Sequence, residues 1–362
     1  MYFSKKRFFA LAAIVILLVT VPIYYAINIQ ATLPSAIPAE SINISTQSIH
    51  SVIPCGDIIG IKIHTDGVPI IAISYAEDTS GAYHTPAKDS GLKSGDIITK
   101  LGGVSVRNSK HFSDIVEKNE SNALAVEYIR GGESHNAVVT PTLTGNGYRI
   151  GAWVRDSTAG IGTVTFIDPQ SKIFAALGHG ISDADTGQLF TVAKGSITEC
   201  DIASVKQGKH GTPGELKGIF TDNDMGVILE NSPIGLYGIA DSDSMLRREP
   251  IPVAARFEVH TGAAQILSSL NGSSVESYDV EIEKVMMHNS DGKGMIIRVT
   301  DPELLDKTGG IVQGMSGSPI IQDGKLAGAV THVLVNDPTR GYGIFIEHMM
   351  DKANQIDLMK EL

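Results

Sequence analysis

The run Gly314-Met315-Ser316-Gly317-Ser318-Pro319 sets a hydroxyl between glycines and ends on proline. A serine hydroxyl is a weak nucleophile until a base takes its proton and donors await the oxyanion that forms on attack at a carbonyl. Backbone N–H groups serve as such donors only where the chain bends so that two of them point one way. Flanking glycines permit that bend and let a substrate carbonyl approach closely. Ser316 is therefore the candidate nucleophile; Ser318 is a second hydroxyl, but it abuts Pro319. Among eleven histidines, His179 is the candidate base. It ends the apolar run from Phe174 and stands between Gly178 and Gly180, where a ring is held at a rim and not packed in a core. His332, in a strand-like Val-Thr-His-Val setting, reads as a neighbour of the substrate. Two acids compete to orient the base: Asp224, 45 residues after His179 and 92 before Ser316, and Asp301, 15 before Ser316. No Cys/His cluster has zinc spacing, and neither HExxH nor a phosphate loop occurs, so no metal and no cofactor are expected.

These residues lie 137 apart, so a sizeable scaffold must bring them together. The chain has 362 residues, 42% hydrophobic and 19% charged, enough for two domains with real cores. Its 38 glycines, about a tenth of the residues, favour short strands joined by tight turns over a helical bundle. Net charge is −11, and −14 once Lys5, Lys6 and Arg7 are set aside, which argues against a nucleic-acid partner. Those three cations precede twenty uncharged residues, 8–27. That length spans a bilayer with the basic end cytoplasmic, whereas the apolar part of a cleaved signal is usually about 7–15 residues. Residues 1–29 are expected to be a cytoplasmic stub and single-pass anchor, and 30–51 a polar linker. Cys55 and Cys200, 145 residues apart, are expected to be free or buried thiols.

From Val52 the pattern is β-rich. Ile58–Tyr75 forms two apolar runs around the turn signal Thr65-Asp66-Gly67, and Ser109 is placed to cap a short helix carrying Phe112, Ile115 and Val116 on one face. The stretch Ser90-Gly-Leu-Lys-Ser-Gly95-Asp96-Ile-Ile-Thr-Lys-Leu-Gly-Gly-Val-Ser-Val106 resembles the PDZ signature, which places a PDZ domain at 52–142. The resemblance implies that Gly60, Ile61, Lys62 and Ile63 lie beside the groove where an extended peptide, a ligand or a segment of this chain, adds as a strand. From 143 to 362 many short strands and few helices point to a sandwich or barrel, with one helix near 347–359.

Gly314–Pro319 resembles the GDSGGP of chymotrypsin-like proteases, which implies a mainly β double-barrel peptidase domain with the N–H groups of Gly314 and Ser316 as oxyanion hole. Asn223-Asp224-Met-Gly-Val resembles the element carrying that fold's aspartate. Taken together, the anchor, the PDZ-like region, Ala176-Leu-Gly-His-Gly-Ile181 and Gln313–Glu347 resemble the stage IV sporulation protein B peptidases of endospore-forming bacteria. That resemblance implies a triad of His179, Asp301 and Ser316. It also implies a signalling serine protease held outside the cytoplasm, in the space between forespore and mother cell. There it would cleave a membrane-bound regulator of an intramembrane protease, so that a late sigma factor is activated.

Overall fold

The computed structural model describes residues 50–360 apart from 242, 244, 273, 290 and 291; the expected anchor and linker lie outside the described residues. Among the described residues no helix is long and apolar enough to cross a membrane.

The described chain starts with β1 (Ser51–Pro54) and β2 (Ile58–His64). A six-stranded PDZ-like sheet follows, built on β3 (Val68–Ile73), β4 (Ile97–Leu101), β5 (Leu124–Arg130), β6 (Glu133–Val139) and β7 (Ala152–Val154), in the order β7-β3-β4-β5-β6, with a short strand at 104–105 beside β4. Helix α1 (Ser109–Asn119) lays Phe112 and Val116 onto this sheet's core with Val68, Ile98 and Leu101. Its cap is Asn108, whose side chain accepts from the His111 N–H at 2.8 Å, while the Ser109 hydroxyl donates to Asp156. The expected cap is thus displaced by one residue: an extended Asn108 reaches the first turn, and Ser109 is already helical. Asp96, 1% exposed, is held by the Arg130 guanidinium and the Lys93 N–H, which locks the turn before β4.

The chain then returns as β8 (Ser157–Ile167), which pairs antiparallel with β2 from Ser157↔His64 to Thr163↔Ile58. The PDZ-like sheet is therefore an insertion between two neighbouring strands of another sheet. That sheet continues with β9 (Ile173–Ala176), β10 (Lys194–Lys206), β11 (Glu215–Ser232) and β12 (Gly235–Ala240). Its order β9-β12-β11-β10-β2-β8 closes on itself through the pairing of β8 with β9. A second closed barrel runs β13 (Gly262–Asn271), β14 (Ser274–Val285), β15 (Met295–Val299), β18 (Asp337–Phe345), β17 (Lys325–Leu334) and β16 (Pro319–Gln322). Helix α2 (Pro302–Thr308) precedes the serine turn, and α3 (Ile346–Lys360) ends the described chain.

Each barrel has its own aliphatic core, one around Ile59, Ile61, Phe174 and Leu236, the other around Ile266, Ile282, Ile297 and Phe345. A third cluster, with Phe166, Tyr237, Ile344 and Met349, seats α3 against both. The molecule is mainly β, with PDZ-like and protease-like parts. One expectation is corrected. Residues 52–64, read as the start of the PDZ domain, belong to the first barrel, and the PDZ-like sheet spans 68–154. The run Ile58–His64 suits any buried strand, and its actual partners, β8 and β10, lie 93 or more residues further on. Cys55 and Cys200 are both free and buried; burial raises the Cys55 thiol well above its ordinary range and pushes Cys200 up to about 11.

Candidate active site

Ser316 sits in the turn between α2 and β16, and the end of β8 holds that turn from the other barrel. The Thr163 N–H donates to the Ser316 carbonyl at 2.9 Å, the Thr163 hydroxyl to the Gly314 carbonyl at 2.8 Å, and the Thr165 hydroxyl to the Gly317 carbonyl at 2.8 Å. Gly317 has φ +98°, and a Cβ there would stand 2.0 Å from the Thr163 carbonyl oxygen, so only glycine lets the turn come this close to β8. Along the turn, Gln313, Met315 and Gly317 each donate their N–H to a backbone carbonyl. Among the described residues, the N–H groups of Gly314 and Ser316 have no acceptor. This alternation leaves two neighbouring donors available to an oxyanion.

His179 follows β9 by three residues. Gly178, at φ +69°, brings the chain under β17 so closely that a Cβ would stand 2.9 Å from the Thr331 methyl. The His179 ring is half-buried, and burial lowers its pKa from the ordinary 6.5, partly offset by a 3.0 Å contact of Nδ1 with the Gly180 carbonyl. A carbonyl only accepts, so Nδ1 carries the hydrogen and Nε2 keeps the lone pair of a base. His179 and Ser316 both line one cavity of about 540 Å³. His332, on β17, lines it too, its ring centroid 4.9 Å from that of His179. Ser316 Oγ donates to the Thr331 carbonyl at 2.8 Å, so in this conformation the candidate nucleophile's proton points to β17.

Neither candidate acid lines the cavity. Asp301 is the N-cap of α2: its Oδ1 accepts from the Leu304 N–H at 2.9 Å and its Oδ2 from the Asp279 N–H at 3.4 Å. Asp224 is exposed on β11, opposite Thr198. In this conformation the Asp301 carboxylate is engaged at the start of α2, and the Gly180 carbonyl, not a carboxylate, meets His179 Nδ1. Ser318 is fully buried and out of reach of a substrate. Sequence reasoning gave no role to Thr163 and Thr165; threonines alternating along an apolar strand are ordinary, and nothing local marks them.

The PDZ groove is also corrected. Gly60, Ile61, Lys62 and Ile63 pair on one side with β8 and on the other with β10, so they offer no edge to a peptide. β7 is one edge of the PDZ-like sheet, and a groove between β7 and α1 is lined by Phe112, Val116, Ile150 and Trp153, the last 65% exposed. The sequence signal for it was the glycine-bracketed run Gly147–Gly151 followed by Ala152-Trp153-Val154. Beyond β7, Arg155 pairs with Asp183 and, at 3.1 Å, with Asp185, tying the PDZ-like part to the loop after His179.

The model of the SpoIVB peptidase S55 family matches residues 146–350, more than half of the chain. The chain belongs to the SpoIVB peptidase S55 family. The family is one of serine peptidases, and its match covers the groove strand β7, the second barrel and every strand of the first barrel except β2. Serine protease HTRA1 of Xenopus tropicalis is 44% identical over 73 residues, 18% of this chain and 16% of that protein. Its Xenopus laevis counterpart is 37% identical over 73 residues, with the same coverage of 18% and 16%. The chain thus spans about a sixth of the length of these curated relatives. Among solved structures, the PDZ domain of an SdrC-like protein from Listeria monocytogenes has a TM-score of 0.20 at 25% identity, covering 25% of this chain and 87% of that one. The active form of a Mycobacterium tuberculosis protease has a TM-score of 0.34 at 14% identity, covering 54% and 72%.

Proposed function

We propose that this chain is a membrane-anchored, extracytoplasmic serine endopeptidase that acts in sporulation signalling. Its substrate is a membrane-bound regulator of an intramembrane protease, cut in the space between forespore and mother cell so that a late sigma factor is activated. The observation that carries the peptidase reading is that Ser316, His179 and Gly314 line one cavity, with the N–H groups of Gly314 and Ser316 free of any acceptor among the described residues. The family supports the signalling role, and the basic-flanked apolar run 8–27 supports the anchor.

In the proposed reaction Ser316 turns from the Thr331 carbonyl toward His179. Nε2 takes the hydroxyl proton as Oγ attacks the peptide carbonyl, and the oxyanion settles on the N–H groups of Gly314 and Ser316. The imidazolium gives its proton to the leaving amine, and the C–N bond breaks to leave an acyl-enzyme. Water, deprotonated by His179, releases the new carboxyl end and restores Ser316. The Gly180 carbonyl holds the productive tautomer; for Asp301 to act as the triad acid, α2 would have to give up its cap. A peptide adding to β7 beside α1 supplies the docking role of the PDZ-like part.

The test is fluorophosphonate labelling of the full chain. Label on the peptide carrying Ser316, lost in Ser316→Ala and His179→Ala, is expected; label absent from that peptide rejects the enzyme reading. Two observations favour a second reading, a non-catalytic adaptor: Ser316 donates to Thr331, and no carboxylate among the described residues lines the cavity. Ser316→Ala separates the two, since partner binding survives it under both and cleavage is lost only under the first.

A further inference from the structure

Resting on the peptidase reading, we infer that the enzyme selects an uncharged aliphatic side chain at the residue whose carbonyl is attacked. The two free N–H groups fix where that carbonyl oxygen sits. The side chain one bond further back must then fall between the segment entering the serine turn and the segment leaving β17. The first presents Ile311 and Val312, the second Val333 and Val335, and both line the cavity.

An arm from the first barrel closes the space between them. The Gly211 N–H donates to the Val335 carbonyl at 2.9 Å, the Gln313 N–H to the Gly214 carbonyl at 2.9 Å, and the Leu216 N–H to the Gln313 carbonyl at 2.9 Å. This arm is hydrogen-bonded to both walls and brings Pro213 into the lining, with Ile161 of β8 alongside. The enclosure is thus built from branched aliphatic groups on three different segments, held by backbone hydrogen bonds.

No Asp, Glu, Lys or Arg is among the described residues lining the cavity. Among the described residues its only ionisable lining groups are His179 and His332, and burial favours the neutral form of His179. A charged substrate side chain entering here would lose water and find no counter-ion. The acidic chain, at net −11, attracts basic peptides at long range, but salt screens that attraction within about 8–10 Å. Desolvation inside the cleft therefore outweighs it. Basic residues are tolerated elsewhere in the substrate and rejected at this one position.

The test is digestion of a mixed peptide library by the full chain, with cleavage sites read by mass spectrometry. Val, Ile, Leu and Met before the cut are expected to exceed Lys, Arg, Asp and Glu by about 100-fold or more in kcat/KM. Val335 is 46% exposed at the rim, so Val335→Asp is compatible with folding. That variant, checked by fluorophosphonate labelling of Ser316, is expected to raise cleavage after Lys and Arg about tenfold relative to Leu; Val335→Lys is expected to do the same for Asp and Glu. A wild-type profile dominated by charged residues overturns the inference while leaving the peptidase reading intact. So do both variants labelling normally with an unchanged profile. Neither labelling nor cleavage by the wild-type chain overturns the peptidase reading and the inference together.

Discussion

Thr163→Val removes one hydroxyl from the strand that holds the nucleophile and changes little else in volume. Thr163 is fully buried, and its Oγ1 is the only donor to the Gly314 carbonyl among the described residues. Valine leaves that carbonyl buried and unpaired, at a cost of about 1–3 kcal/mol in unfolding free energy. The Gly314 carbonyl lies inside the turn that aims the Gly314 and Ser316 N–H groups. Relaxation of the turn toward another donor therefore shifts the oxyanion site, and a displacement near 1 Å costs up to about 100-fold in rate. Urea denaturation measures the first quantity; the second-order rate of fluorophosphonate labelling, taken where the protein is fully folded, measures the second. Thr198→Val is the control: Thr198 is also buried in the first barrel, but its hydroxyl meets the Gly60 carbonyl at 3.5 Å, away from the turn. The control is expected to label at the wild-type rate. A Thr163→Val protein that loses stability as expected but labels at the wild-type rate refutes the claim that β8 positions the nucleophile. Unchanged stability refutes the hydrogen-bond argument itself.

Asp301→Asn keeps a good helix cap while removing the carboxylate, so the melting temperature is expected to stay put. On that folded variant, retained kcat assigns tautomer control to the Gly180 carbonyl, and a loss near 10⁴-fold identifies Asp301 as the triad acid. Burial lowers the His179 pKa, so the acid limb of kcat/KM is expected below pH 6.5, and a limb at or above that value refutes the burial argument. The same shift means that the unfolded chain binds this proton more readily than the folded one. The stability contribution of neutral His179 is therefore present above about pH 6.5 and lost as pH falls through the folded value, measurable by denaturation at stepped pH. Arg155→Ala leaves Asp183, 4% exposed, without its cation; slower labelling of Ser316 with the barrels still folded is expected from release of the loop after His179, and an unaltered rate refutes that link.

Much of the candidate site was legible in the sequence. The serine turn, the glycine-flanked histidine and the helix at 109–119 each depend on a few consecutive residues whose local conformation matches their function. Gly317 is an example: its chemistry requires a backbone that only glycine adopts, and that requirement is visible in the letters. What could not be read was pairing. Ile58–His64 has the same alternation whether it pairs with Val68–Ile73 or with Ser157–Thr163, and only the closing of a barrel core decides for the latter. Asp301 and Asp224 stand at plausible separations from Ser316, yet one is spent on a helix end and the other faces solvent on β11. Separation along the chain carries no direction in space. The sequence by itself therefore singled out one hydroxyl and one imidazole, and the fold sets both at the lining of one cavity. Tertiary structure alone decided what surrounds them: the threonines of β8 beneath the turn, the Gly180 carbonyl at Nδ1, and the aliphatic cleft assembled from three distant segments.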